Sequence, residues 1–363
     1  MAKVKIENIS KKFGQKTAVK EVNLEIKDKE LACFAGPPGS GKTTVFRIVA
    51  GLQKPDSGEV YFDDERVTHL PPGEREVGFF FEILALFPNK TGFENIAFPL
   101  RVRRVPEKEI KKKVIEVARL LKVEHILDRE PRTFSGGEMQ RIALARTIVW
   151  PRRVLILDEP LSNIDALLRV SMRAEFKKLK EELRETILYA THDPIEAMAV
   201  GDRVCVMHNG EVQQYAIPKE VFNHPNNRFV AGFVGSPPMN FIDVSLEEEG
   251  DRLYLDQGTF RMDVTKYGKT IKEGASSSEL TLGIRPEYII ISDKPLTNSA
   301  KSQVYVTEPL GFRTVIDFKV GKDTIVKVIG EAGVSCKLGD VKWIIFPTDK
   351  IHVIDKKTEK VLV

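Results

Sequence analysis

The chain has 363 residues, too many for one ordinary hydrophobic core, so two domains are expected. With 42% hydrophobic and 30% charged residues it has the composition of a soluble globular protein, and no apolar run is long enough to cross a bilayer. A net charge of +4 argues for no particular partner, and Cys33, Cys205 and Cys336, far apart and without a CxxC pair, suggest neither a zinc site nor a disulfide framework.

The start, MAKVKIENIS, alternates like a strand rather than a signal peptide, so a cytosolic chain is expected. Val4, Ile6 and Ile9, then Val19, Val22, Leu24 and Ile26, predict half-buried strands. Phe13 sits in the turn between them, either as an edge contact or as a ring on which a base can stack. Leu31–Ala35 reads as a strand buried on both faces. It runs into Gly36-Pro37-Pro38-Gly39-Ser40-Gly41-Lys42-Thr43, which fits G-x-x-x-x-G-K-[ST] without a gap. Val45, Ile48, Val49 and Leu52 follow at helical spacing. Strand, glycine loop and helix in that order aim backbone N–H groups and a helix N-terminus into one cavity, which suits nucleotide phosphates. Lys42 supplies a full charge there, and the Thr43 hydroxyl is a hard ligand for Mg²⁺.

Gly58–Phe62 and Val77–Phe81 read as strands, and Glu82–Leu100, with Pro88, Gly92 and Pro99, as a looser stretch. Ile110, Val114, Val117, Ala118 and Leu121 share one helical face, with Lys111-Lys112-Lys113 on a solvated one. Phe134-Ser135-Gly136-Gly137-Glu138 then opens a helix running through Ile148, as a plain capped start or as a second anion nest.

Val154–Leu157 is a buried strand ending in Asp158-Glu159-Pro160. Two carboxylates at the tip of an apolar strand are costly unless a cation or an acid–base role justifies them; capping the next helix is the alternative. Beside a phosphate loop, Asp158 is of the type to serve a metal near Thr43, and Glu159 to hold an attacking water. Ile187–Ala190 delivers Thr191-His192-Asp193 to the same sheet edge, and Asp202–Gln214 reads as a hairpin around Asn209-Gly210. Pro237 and Pro238 mark a linker, after which short strands and turns alternate to the end, as in a small barrel-like β domain.

Together these stretches resemble the ATP-binding subunit of ABC transporters, nearest to the carbohydrate-importer ATPases. The motifs stand in the family's order: an aromatic adenine platform (Phe13), Walker A (Gly36–Thr43, with Thr44 beside it), a Q-loop region (Val77–Pro88), the signature (Phe134–Glu138), Walker B (Val154–Glu159), the D-loop Leu161-Ser162-Asn163-Ile164-Asp165 and the switch His192. FENIAFPL, DEPLSNIDALLR and LGIRPE also look like this subfamily.

The resemblance implies an α/β P-loop NTPase domain of ABC type over residues 1–236, with a helical subdomain at about 88–152, and a small all-β regulatory domain over 237–363. It implies a homodimer in which each Mg·ATP lies between Walker A of one copy and Ser135, Gly136, Gly137 and Glu138 of the other. Glu159 is then the general base and His192 a γ-phosphate contact, while Thr43, Asp158 and Glu82 serve Mg²⁺. Further implied are two membrane-spanning permease subunits facing residues 83–95, an extracytoplasmic solute-binding protein, a peripheral place on the cytoplasmic face of the membrane, and no nucleic acid. The work is ATP-driven uptake of a carbohydrate or related solute; a non-sugar importer, a catalytically weakened regulatory module and a nucleic-acid ATPase are the alternatives. Three positions depart from the pattern: Glu82 stands where Gln is usual, the signature reads FSGGE rather than LSGGQ, and Pro38 removes one backbone N–H from the cradle.

Overall fold

In the computed structural model, which describes residues 2–162 and 166–363, the alternating start forms β1 (Val4–Phe13) and β2 (Lys16–Ile26). Val4 and Ile6 are buried while Lys5 and Glu7 stay partly exposed, the period of a half-buried strand, and a register shift around Asn8 (φ 50°) returns Ile9 to the buried side. β3 (Leu31–Ala35) is buried at every residue and is followed by α1 (Lys42–Val49), β4 (Ser57–Phe62), β5 (Glu65–Arg66) and β6 (Val77–Phe80). Three helices come next, α2 (Gly92–Val102), α3 (Glu107–Leu120) and α4 (Gly136–Ile148). The series continues with β7 (Val154–Asp158), α5 (Ala166–Leu183), β8 (Thr186–Thr191), α6 (Pro194–Val200), β9 (Arg203–His208) and β10 (Glu211–Ala216).

These strands make two sheets. One is antiparallel, in the order β2-β1-β4-β5; the other has the order β10-β9-β3-β8-β7-β6, parallel except for β10 at its edge. Parallel strands end on one side, so the loops after β3, β6, β7 and β8 meet there. Val45, Phe46, Ile48 and Val49 of α1 share one core with Val4, Val22 and Phe62 of the first sheet and Phe34, Ile156 and Leu188 of the second. Each such side chain contributes about 1.5–3 kcal/mol on burial, so the helix behind the glycine loop is clamped from both sides.

A second cluster joins α2, α3 and α4 through Ile96, Leu100, Ile110, Val114, Ala118, Ile142 and Ala145. Here the structure departs from the loose stretch expected before Leu100. Thr91 and Glu94 form a reciprocal capping box that starts α2, and Pro99 lies inside the helix. The buried face of Ile96, Ala97 and Leu100 offsets the hydrogen bond that Pro99 cannot donate.

By backbone packing the chain divides into two compact units, the first ending at Lys219 and the second starting at Glu220, whereas the sequence places the linker at Pro237-Pro238. Arg285 gives the reason. Wholly buried, it stacks on Phe222 and donates to the Phe222 carbonyl at 2.6 Å and the Val234 carbonyl at 2.6 Å. It thereby fastens α7 (Pro218–Asn223) and α8 (Arg228–Phe233) to the β-rich part.

That part contains β11 (Asn240–Glu249), β12 (Arg252–Asp256), β13 (Arg261–Asp263), the short α9 (Gly268–Gly274) and β14 (Glu279–Ile284). β15 (Ile290–Ser292), β16 (Ser299–Pro309), β17 (Arg313–Val320), β18 (Thr324–Glu331), β19 (Val341–Ile345) and β20 (Ile351–Asp355) complete it. Two antiparallel sheets, β13-β12-β11-β14-β20 and β15-β19-β16-β17-β18, share a single core. Asn240 bonds both the carbonyl and the N–H of Lys327, tying β11 to β18.

Candidate functional site

The glycine loop leaves β3 at Gly36, where a Cβ would collide with the Met207 carbonyl oxygen. At Gly41 the backbone turns to φ 107°, a left-handed conformation that only glycine adopts without strain, and a Cβ would lie 2.6 Å from the Ala18 carbonyl. The turn points the start of α1 back into the loop. Lys42 is 5% exposed, and its ammonium donates to the carbonyls of Gly36 (2.7 Å) and Pro37 (3.2 Å). Burial lowers its pKa, and the carboxylates of Glu159, Asp158 and Glu82 oppose that shift. A buried cation that spends its close hydrogen bonds on its own loop's carbonyls can exchange them for an incoming anion.

The far end of α1 is held by a residue that motif reading missed. Arg75, 2% exposed, donates to the carbonyls of Ile48 and Val49 in the last turn of α1, and to those of Leu70 and Thr68. A cation at a helix C-terminus satisfies orphan carbonyls and opposes the negative end of the dipole.

Asp158 closes β7 and is 3% exposed. Burial pushes its pKa up to about 6, against the Thr43 hydroxyl, which donates to it at 3.1 Å. Glu159 follows with φ 51°, strained for a residue with a Cβ. Its N–H donates to the Ala190 carbonyl on β8, and the Ser162 hydroxyl donates to the Glu159 carbonyl at 2.9 Å, holding the turn in place. Its carboxylate lies 3.7 Å from the Lys42 ammonium and 2.7 Å from Nδ1 of His192. The ring is presented just before α6, where Asp193 caps the helix and pairs with Arg173 at 2.8 Å. Lys42, Thr43, Asp158, Glu159 and His192 are thus brought together from three loops, while Glu82 stands exposed in the loop after β6, its charge acting on both Lys42 and Asp158.

Among the described residues no three His, Cys, Asp or Glu side chains gather as a metal cage. The hydroxyl–carboxylate pair of Thr43 and Asp158 nevertheless suits Mg²⁺, which keeps waters and phosphate oxygens beside few protein ligands.

Beside the loop, a cavity of about 210 Å³ is lined by Phe13, Lys16, Ala18 and Gly39–Thr44. Phe13 is half exposed at the β1–β2 turn, with the Lys11 ammonium 5.7 Å from its ring centroid. Lys11 in turn is anchored to Asp56 at 2.6 Å. The signature residues do not line this cavity. Ser135 and Gly136 are exposed at the start of α4, where the Ser135 hydroxyl accepts from the Glu138 N–H and the Glu138 carboxylate accepts from the Ser135 N–H at 2.7 Å. Glu138 also faces Arg129 and His125, so its charge is absorbed within its own chain. Of the D-loop, Asn163, Ile164 and Asp165 lie outside the described residues.

A separate groove of about 500 Å³ opens at the end of β6, with Phe81, Leu84, Phe87, Phe98 and Trp150 in its walls and Arg103 at its rim. Ile83 beside it is 80% exposed. Among the described residues no helix is long and apolar enough to cross a membrane.

Residues 19–162 match the family described as ABC transporter, and residues 235–289 the one described as MalK OB fold domain. The chain is 42% identical, over the full length of both, to the trehalose/maltose import ATP-binding protein MalK of Thermococcus litoralis. It is 39% identical, over 99% of each chain, to the oligosaccharides import ATP-binding protein MsmX of Bacillus subtilis. Among solved structures, a dimeric ATP-binding cassette in a post-hydrolysis state with ADP and Pi is 32% identical with a TM-score of 0.54, covering 59% of this chain and 98% of that one.

Proposed function

The chain belongs to the ABC transporter ATP-binding family, in its sugar-importer branch, and from that membership we propose that it hydrolyses ATP to drive uptake of a carbohydrate or related solute. The observation that carries this reading is the convergence of Lys42, Thr43, Asp158, Glu159 and His192 at one edge of the parallel sheet.

The Gly36–Thr43 loop and Thr44 hold the phosphates, with Lys42 exchanging its loop carbonyls for phosphate oxygens. Phe13 stacks on the base. Thr43, Asp158 and Glu82 are the groups that would hold Mg²⁺, which supplies positive charge to the phosphate oxygens when bound. Glu159 takes the proton of the attacking water, and the hydrogen bond with His192 fixes which way its carboxylate points. Ser135, Gly136, Gly137 and Glu138, at the start of α4, serve the nucleotide of a second copy, because they do not line the cavity of their own chain. We assign this work to residues 1–236, with a helical subdomain at about 88–152, and regulation to the β-rich part over 237–363. The groove after β6, with residues 83–95, receives the membrane-spanning subunits on the cytoplasmic face, and an extracytoplasmic binding protein presents the solute.

Glu159→Gln tests the assignment. A positioned general base contributes about 10²–10⁴-fold to rate, so steady-state hydrolysis should fall by that factor while ATP affinity holds. Light scattering with Mg·ATP should show a trapped dimer that Ser135→Arg abolishes. Near-parental turnover in Glu159→Gln sinks the base; an inactive variant that stays monomeric removes the shared site.

A further inference from the structure

Arg146 lies on α4, eleven residues after the Ser135 cap, which places it about 16 Å along the helix from the signature. Its guanidinium does not serve α4 at all. One amino group donates to the Ala85 carbonyl at 3.0 Å, the other to the Leu84 carbonyl at 2.9 Å, and the plane lies 5.6 Å from the Phe87 ring centroid. Among the described residues no carboxylate stands within ion-pair distance of it.

The segment it grips is the one that carries Glu82. That loop has no helix or strand of its own from residue 81 onward, and Ala85 sits at φ 40°. It is pinned at its start by β6 and at Phe87 by the wholly buried Asn95 of α2, which bonds both the N–H and the carbonyl of Phe87. Between those pins Leu86 packs against the cluster that includes Ile142 and Ala145 of α4, and Arg146 supplies the hydrogen bonds from the signature helix to the loop. A partly buried guanidinium without a counter-charge is a costly means of holding an exposed loop, unless the loop and the helix must move as one body.

We propose that Arg146 is a positioning residue that couples the Glu82 loop to the helix presenting Ser135, so that nucleotide engaged by one copy aligns the surface offered to the other. The proposal rests on the shared-site reading above. The two amino groups of one planar guanidinium each meet one of two successive carbonyls, an orientation fixed by the rigid fork, where a lysine's freely rotating ammonium would hold carbonyls without fixing the angle. The link therefore acts on assembly and not on the phosphate loop.

The test uses full-length Glu159→Gln protein with and without Arg146→Met or Arg146→Lys. Both changes should raise the ATP concentration for half-maximal dimerisation, read by light scattering, by about tenfold, a typical coupling between sites. The thermal shift given by Mg·ATP should stay at the parental value when Ser135→Arg is added to keep every protein monomeric. An unchanged dimerisation midpoint overturns the link. So does a lost thermal shift, since Arg146 would then be supporting the phosphate loop itself. If the methionine variant fails to fold, the lysine variant decides by the same two readings. Glu159→Gln protein that never dimerises fails the functional reading first, before Arg146 is changed.

Discussion

Two buried aspartates, one in each compact unit, close a strand and point their carboxylates into opposite circumstances. Asp355 ends β20, is wholly buried, and accepts from the N–H and hydroxyl of Ser276 and from the N–H and hydroxyl of Thr358 at 2.6–2.8 Å. Burial alone would raise its pKa, but these four donors outweigh it and hold the carboxyl far below the usual range. Asp158 ends β7 with one donor, the Thr43 hydroxyl, and two negative neighbours in Glu159 and Glu82, and its pKa is raised. The same side chain at equal burial is a structural knot where its hydrogen bonds are complete. Where they are incomplete, the proposed Mg²⁺ would complete them.

The contrast can be broken from either side. Asp355→Asn turns a donor toward groups that already donate, leaving about two of them without a partner, and should cost about 2–5 kcal/mol of unfolding stability. Its pH signature follows from the lowered folded-state pKa. The stabilisation is present above the unfolded-state value of 3.8 and is lost as pH falls below it toward the lower folded-state value, so denaturant titrations of the parent should weaken there and those of the variant should not. Mg·ATP hydrolysis per folded molecule should not change.

Asp158→Asn should do the reverse. Hydrolysis should fall about 10–100-fold, the scale seen when a group supporting a metal is removed, while the nucleotide-free protein melts no lower than the parent. A large loss of stability would place Asp158 in the same class as Asp355. The smallest effect is expected at Glu82, which is exposed: Glu82→Gln should keep or raise hydrolysis, and Glu82→Ala should lower it. An alanine variant as fast as the parent removes Glu82 from the site.

The parts of this site that could be read from sequence are those whose chemistry is local. The glycine loop, the Asp158-Glu159 pair and His192 each follow an apolar strand, and parallel strands gather their ends without further information. The capping of α2 was also open to reading, since Thr91-x-x-Glu94 is a start signal, but Pro88, Gly92 and Pro99 hid it. Arg75, Arg146 and Arg285 were not legible. Each spends its charge on carbonyls up to 63 positions away, and nothing in the types of those residues announces an acceptor that every residue possesses. For the same reason the compact second unit starts before the proline pair: its first helices are held by a residue far downstream.

The backbone of Glu159 has a consequence for the lineage of the sequence. A left-handed conformation at a residue with a Cβ costs about 1–2 kcal/mol that glycine would not incur. The backbone alone would favour glycine here, but glycine would also give up the carboxylate that faces the Lys42 ammonium and His192. On the proposed role of Glu159, turnover adds to what holds the glutamate in place, so a copy of this chain released from transport duty would be expected to change here before it lost its fold.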